Sequence, residues 1–406
     1  MRSSSFLLIG LFGLAAFSQL PRVAPPTPPA ATHQPLAAET EVVRAANTFL
    51  ASLSAEQRKA VVVEFNATNV TKWSNFPCGL GCRAGLLLQS LTPAQQAAAL
   101  AVVKAATGTV ANDGYDEIQQ LRAADDVLRA APGGGPGGPG GPRGGGRPGG
   151  GRPPGPPPGG GPPMGGGRPP GGPGGPGGGY GSAIYAIAFL GTPATTGTWM
   201  LQFGGHHLAT NITFHNGAVS GASPKFEGAE PLTFATADTQ VLPAGTTCAP
   251  LANEAATTLA LFNSLTLTQK ATAKLTQSFG DVLVGPGRDG QFPDAKVGVP
   301  GSALSASQRA LLLAAMKPWV QDADDATAAS LLAAYEKQLP GTYVAYSGTG
   351  KFTQEGDYLR LDGPNVWIEF VCQNGIVFHN QIHYHSIWRD RTRDYGGNFY
   401  TVRAGG

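Results

Sequence analysis

The sequence predicts an α+β fold: a single domain of two pseudo-repeated halves, each a run of helices followed by antiparallel strands, interrupted by a disordered Gly/Pro tether. Three observations lead there. Four helix starts carry the same chemistry in two matched pairs. Two strand-rich stretches follow with similar spacing of Gly and Asn-Gly. A segment of almost pure Gly and Pro separates helices from strands in the first half.

The helix starts are Leu53-Ser54-Ala55-Glu56-Gln57, Leu91-Thr92-Pro93-Ala94-Gln95, Leu265-Thr266-Leu267-Thr268-Gln269 and Leu304-Ser305-Ala306-Ser307-Gln308. Each has Ser or Thr at the N-cap and Gln three residues on. That is a capping box, in which two side chains satisfy otherwise unpaired backbone N–H groups. Apolar residues at helical spacing (Val42, Val43, Ala46, Phe49, Leu50) predict a helix ahead of the first box, and 253–263 repeats the pattern ahead of the third. Helices are expected over 94–105, 115–128, 306–320 and 323–339. Trp319 and Tyr335 read as core residues of the last two.

Each helical set runs into strands. Tyr185-Ala186-Ile187-Ala188-Phe189 resembles Tyr343-Val344-Ala345-Tyr346-Ser347, and a Gly-led strand follows each, from Gly197 and from Gly356. An Asn-Gly pair then closes each set, at Asn216-Gly217 and Asn374-Gly375, a dipeptide suited to the left-handed corners of a hairpin. Counting back from these pairs aligns Gly205 with Gly363 and Asn211 with Glu369.

The resulting plan is a signal peptide (1–18), a Pro/Ala-rich spacer (19–36), the first helical part (37–131), the tether (132–181), the first strand part (182–250), the second helical part (251–340) and the second strand part (341–406). The apolar run from Phe6 to Phe17 behind Arg2, with small residues after it, has the form of a secretory signal and is too short to span a bilayer. The expected location is extracytoplasmic, periplasmic or secreted, with no transmembrane segment after signal cleavage. Gly does not recur strictly every third residue in the tether, which excludes collagen. The tether carries Arg143, Arg147, Arg152 and Arg168, and as a coil would span on the order of 40 Å.

A formal net charge of +2 gives no general affinity for nucleic acid. The partner expected is a small-molecule or envelope-polymer ligand. Four cysteines permit three full pairings. Cys78 and Cys82 flank Gly79-Leu80-Gly81 and can close a small ring, and Cys248 and Cys372 are then free to pair or to stay as buried thiols. Sequons begin at Asn66, Asn69 and Asn211.

Candidate chemistry is concentrated in two places. His379, His383 and His385 lie within seven residues, followed by Arg389 and Asp390; His206 and His207 are adjacent behind Gly204-Gly205. On a strand, residues two apart share a face, so His383 and His385 point the same way, as paired imidazole ligands for zinc or copper do. Adjacent residues on a regular strand point apart, so at most one of His206 and His207 should join a given site unless Gly204-Gly205 breaks the strand with a bulge. Glu369 lies in an apolar run, where a carboxylate needs a partner. A two-residue turn at Asn374-Gly375 would face Glu369 away from His379, His383 and His385; a longer or bulged connection would let it join them. The alternative reading is an internal polar network of the histidines, Glu369, Arg389, Asp390 and Tyr384 that locks the halves together.

Gly205-His206-His207-Leu208 with Asn211, Gly363-Pro364 with Ile368-Glu369-Phe370, His383-x-His385-Ser386-Ile387-Trp388-Arg389-Asp390 and Asp394-Tyr395-Gly396 resemble the domain of unknown function 3500 family. The resemblance runs from about Ala45 to Phe399, omitting the tether. It implies an exported bacterial or fungal setting and carries no activity. The residues themselves suggest a metal-dependent hydrolase of the cell envelope. His206 or His207, His383 and His385 would bind the metal, Glu369 would serve as ligand or general base, and Arg389 would stabilise negative charge. Asn211, His379 and Asp390 are further candidates. A non-catalytic envelope binding or adhesion module and a copper oxidase or oxygenase are the other two readings.

Overall fold

A computed structural model describes residues 37–132, 179–237 and 241–400. The signal peptide, the spacer and nearly all of the tether lie outside the described residues. The described residues all fall in one compact unit. Its helices are α1 (Ala37–Ser52), α2 (Ala55–Val61), α3 (Ala67–Val70), α4 (Pro93–Ala106), α5 (Gly114–Ala130), α6 (Ala252–Ser264), α7 (Leu267–Ala273), α8 (Ala306–Gln321) and α9 (Asp325–Gln338). No described helix is long and apolar enough to cross a membrane. The fold is α+β, as the sequence predicts.

All four capping boxes form, at the N-termini of α2, α4, α7 and α8. Their glutamines do more than cap. Gln95 Nε2 donates to the Ser52 carbonyl that ends α1 and to Gln57 of the neighbouring box. Gln308 Nε2 likewise donates to the Ser264 carbonyl that ends α6 and to Gln269, each at 2.8 Å. The boxes of α4 and α8 thus also satisfy an orphan carbonyl at another helix's C-terminus. Gln308→Ala removes four bonds from a buried position and is expected to cost about 2 kcal/mol, read as a lowered urea midpoint at unchanged slope.

The strands are β1 (Val62–Val63), β2 (Leu86–Leu87), β3 (Ala186–Leu190), β4 (Thr198–Gly205), β5 (Leu208–His215), β6 (Ala218–Gly221), β7 (Lys225–Ala229), β8 (Phe234–Ala235), β9 (Thr247–Cys248), β10 (Val299–Pro300), β11 (Tyr343–Ser347), β12 (Tyr358–Asp362), β13 (Val366–Asn374) and β14 (Ile382–Asp390). Apart from the β8-β9 pair they form one sheet, ordered β1-β3-β4-β5-β7-β14-β13-β12-β11-β10, with β2 on β3 and β6 on β5. The antiparallel β7–β14 pair is the seam where the strand sets before and after residue 250 meet.

Side chains alternate across this seam and divide its chemistry. Lys225 and Glu227 of β7, with Ser386 of β14, point toward the helices: Lys225 pairs with Asp322 at the end of α8, and Trp319 of α8 donates to Ser386. Phe226 and Ile387 pack together on the opposite face, within a smaller apolar cluster with Trp73 and Tyr395. His383 and His385 point to that face too.

Two expectations about turns come out differently. Asn216-Gly217 is a two-residue hairpin corner with both residues at positive φ. Asn374-Gly375 is not one. Asn374 pairs with Ile382, so residues 375–381 form a long connection. The reason lies partly in Glu230, whose Oε1 accepts from the N–H groups of Val377 and Phe378 and gives the longer loop its own anchor. Cys78 and Cys82 form a disulfide, while Cys248 and Cys372 are buried free thiols rather than a second bridge. The Asn211 sequon is closed, because Asn211 is buried with its amide donating to the Pro224 carbonyl.

Candidate metal centre

His206 and His207 are the two corner residues of the β4–β5 hairpin, between paired Gly205 and Leu208. They lie on no regular strand, so the alternation expected of adjacent residues does not apply to them, and their rings stack at 3.7 Å. His207 has φ of 59°, a conformation uncommon for a side-chain-bearing residue and held here by its surroundings. Its N–H donates to the Asn75 carbonyl and its carbonyl accepts from Gly228 N–H. Tyr185 O–H donates to the His206 carbonyl at 2.9 Å. Behind the turn sits the disulfide loop, from which buried Arg83 reaches the carbonyls of Ser74, Phe76 and Gly205.

This turn brings His207 to the two strand histidines. Ring centroids lie 5.5 Å apart for His207 and His383, 5.1 Å for His207 and His385, and 4.8 Å for His383 and His385. One ring nitrogen from each falls within 4.8 Å of the others. A tetrahedral zinc with bonds of about 2 Å needs its ligand nitrogens about 3.3 Å apart, so movements on the order of 1 Å would close the set.

Two ring nitrogens in the trio are buried without a partner, His383 Nδ1 and His385 Nε2. A buried polar atom left unpaired is costly and signals a missing ligand or water. The far side of each ring is engaged. His385 Nδ1 lies 3.0 Å from Asp281 Oδ1 and 3.0 Å from the Gln373 amide. With its Nδ1 proton given to Asp281, His385 keeps an Nε2 lone pair for a metal, the arrangement by which carboxylates orient metal-binding histidines. The Asn374 backbone bonds the His383 ring in the same manner.

Burial drives the His207 pKa well below the usual histidine range, and the neighbouring imidazoles push it further. Burial, then His385, pushes His383 down to about 3. Both rings are therefore neutral at physiological pH, the form that binds metals. His207 and His385 keep 6% exposure while His383 keeps 1%, which puts the trio just beneath the surface. Asp281 stands at the rim with a 45% exposed side chain.

A scan against known families matches residues 37–397 to the family described as Protein of unknown function (DUF3500). The chain belongs to that family. No curated protein and no solved structure matches it.

In this DUF3500 chain the remaining candidates lie outside the trio. His206 turns its Nδ1 to Asp125 Oδ1 at 2.7 Å, and Asp125 also accepts from Gly181 N–H. His379 is exposed in the 375–381 loop, with Nδ1 at 3.3 Å from the Gly375 carbonyl. Asp390 accepts from Tyr335 O–H and Thr392. Asn211 sits on β5, opposite Gln202.

The long connection does put Glu369 on the histidine face, since it pairs with Ile387 in the frame that pairs Val371 with His385. Its carboxylate is nonetheless fully engaged elsewhere. Oε1 accepts from Val284 N–H and Trp367 Nε1; Oε2 accepts from Leu283 N–H and Tyr358 O–H. Burial raises its pKa against these donors. With both oxygens doubly occupied, the expected role as ligand or base gives way to a structural one. Arg389 is equally committed. It donates to the carbonyls of Val284 and Gly285 and pairs with Asp289 and Asp394. Burial opposes its charge, but those carboxylates raise its pKa further. It has no free fork to offer a reacting group.

The residues that complete the centre were not evident from the sequence. Asp281 comes from a loop 104 positions away from His385. That loop also supplies the N–H groups of Leu283 and Val284 to Glu369 and the carbonyls of Val284 and Gly285 to Arg389, so it covers this face of the sheet. Gly228 is the other. It pairs with His385 across the seam, and a Cβ there would come within 2.9 Å of His385 Cδ2 and 3.0 Å of His207 Cδ2. Gly228→Ala is expected to spread the two rings and weaken metal binding about 10- to 100-fold, comparable to losing a supporting partner. The fold should lose only about 1–3 kcal/mol. Competition with a zinc-sensitive chelator measures the first and thermal unfolding the second.

Proposed function

We propose that this chain is a metal-dependent hydrolase acting outside the cytoplasm, with His207, His383 and His385 as its metal ligands. The observation that carries the reading is the convergence of three buried imidazoles, two of them with an unpartnered nitrogen and an engaged far side. Three protein ligands leave a fourth position for water. Zinc lowers the pKa of such a water to about 7 and so supplies hydroxide at neutral pH. Asp281, accepting the Nδ1 proton, fixes the His385 ring, and His206, held by Asp125, stacks on His207 and positions it. A small-molecule or envelope-polymer ligand is the proposed substrate class. The Cys78–Cys82 disulfide supports an oxidising compartment, in keeping with the signal-like N-terminus.

A set of imidazoles without thioether or carboxylate also suits Cu(II), which keeps a copper oxygenase as the second reading. Hydrolysis of p-nitrophenyl acetate by zinc-loaded and copper-loaded protein tests the first. The expected result is turnover with zinc, abolished by chelation and by His383→Ala. Zinc-loaded protein no faster than the variant would remove the hydrolase reading and leave a binding role.

A further inference from the structure

The helix-facing side of the β7–β14 seam holds a second cluster. Glu117 of α5, Glu227 of β7, Glu254 of α6 and Asp322 at the C-cap of α8 converge, each offering an oxygen within 4.8 Å of the others. Their exposures are 0%, 0%, 0% and 2%, so water cannot solvate them. Among the described residues Lys225 is the one cation in contact, with Nζ 2.7 Å from Glu227 and 2.5 Å from Asp322. One ammonium faces four carboxylates.

The hydrogen-bond accounting is far from complete. Glu117 Oε1 accepts from Leu251 N–H and Asp322 Oδ1 from Gly114 N–H. Glu117 Oε2, Glu227 Oε2 and both oxygens of Glu254 have no donor, and Glu227 Oε1 and Asp322 Oδ2 meet only Lys225 Nζ. Lys225 Nζ is committed to the ion pairs with Glu227 Oε1 and Asp322 Oδ2 and reaches neither Glu117 nor Glu254 among the pairs within 4.0 Å. Thr258 Oγ1, one helical turn beyond Glu254, is also buried and unpartnered. Glu254 is the decisive group. It is fully buried, directed at the other three carboxylates, and neither of its oxygens meets a donor.

We propose that Glu117, Glu227, Glu254 and Asp322 form a closed site for a hard divalent cation, of the Ca2+, Mg2+ or Mn2+ class. Four carboxylates, with one oxygen of each converging, suit the oxygen-rich shell that these ions take, and among the described residues no nitrogen or sulfur ligand joins the cluster to favour zinc or copper. The ion offsets charge that Lys225 alone cannot. The site has no solvent opening, so its role is structural: it ties α5, α6 and α8 to the strand whose next residue, Gly228, makes room for the histidine rings. It does not depend on the histidine centre.

The test is elemental analysis and thermal unfolding of the full chain as purified, after EDTA treatment, and after re-addition of Ca2+, Mg2+ or Mn2+. The wild type is expected to hold one such ion per chain and to regain at least about 5 °C in Tm on re-addition. His207→Ala should keep this ion, and Glu254→Gln should lose it while still binding zinc. Terbium supplies a reading on the wild type alone, should Glu254→Gln not fold. Tb3+ emission sensitised by Trp319 and Trp388 should appear and be displaced by Ca2+. The proposal is overturned if the wild type holds no hard cation, gains no Tm and sensitises no Tb3+, or if Glu254→Gln retains the ion.

Discussion

Replacing His383 and His385 together by alanine is expected to reduce bound zinc from about one ion per chain to below about 0.1, because one remaining imidazole cannot hold zinc against buffer. The fold should survive. β14 keeps its backbone pairing to both neighbours, and the rings removed lie beneath the surface rather than in the main apolar core. His206→Ala is the informative contrast. His206 spends its Nδ1 on Asp125 and touches His207 only by stacking, so its loss should weaken zinc binding about 10- to 100-fold without abolishing it. Titration with zinc, read by elemental analysis after desalting, separates the two. Equal loss in both variants would make His206 a ligand.

Arg389→Ala is expected to destabilise the protein by about 3–5 kcal/mol, the cost of breaking a buried ion pair from one side. Asp394, with no exposure, would lose its cation, and the carbonyls of Val284 and Gly285 their donor. Burial already raises the Asp394 pKa, held in check first by Arg389. Arg389→Lys should recover little, since an ammonium cannot span two carbonyls and two carboxylates as a planar fork does. The denaturation midpoint decides the matter. A variant that keeps its midpoint but loses activity would restore Arg389 to a catalytic role.

What the sequence revealed was what is local. A capping box is closed within four residues, and all four form. His383 and His385 share a face because strand alternation is a local rule. His206 and His207 resisted the same rule because they occupy a turn, and nothing in Gly204-Gly205-His206-His207 says whether the chain continues as strand or reverses. The facing of Glu369 hinged on the length of the 374–382 connection, which Glu230 helps to hold from 147 positions away. Its saturation depends on Leu283 and Val284, 86 and 85 positions away. The four-carboxylate cluster was the least legible. Glu117 and Glu254 sit in first helical turns, where acidic residues ordinarily offset the helix dipole. Only Lys225-x-Glu227, two charges on one face of an apolar strand, carried a local sign that something charged lay beneath the helices.

X-ray absorption at the metal edge of the purified, zinc-loaded protein tests the central claim most directly. Three imidazole nitrogens at about 2.0 Å with one further light ligand are expected, falling to fewer imidazoles in His385→Ala. A spectrum with no imidazole scattering, or a protein that binds no zinc at all, would contradict the three-histidine centre.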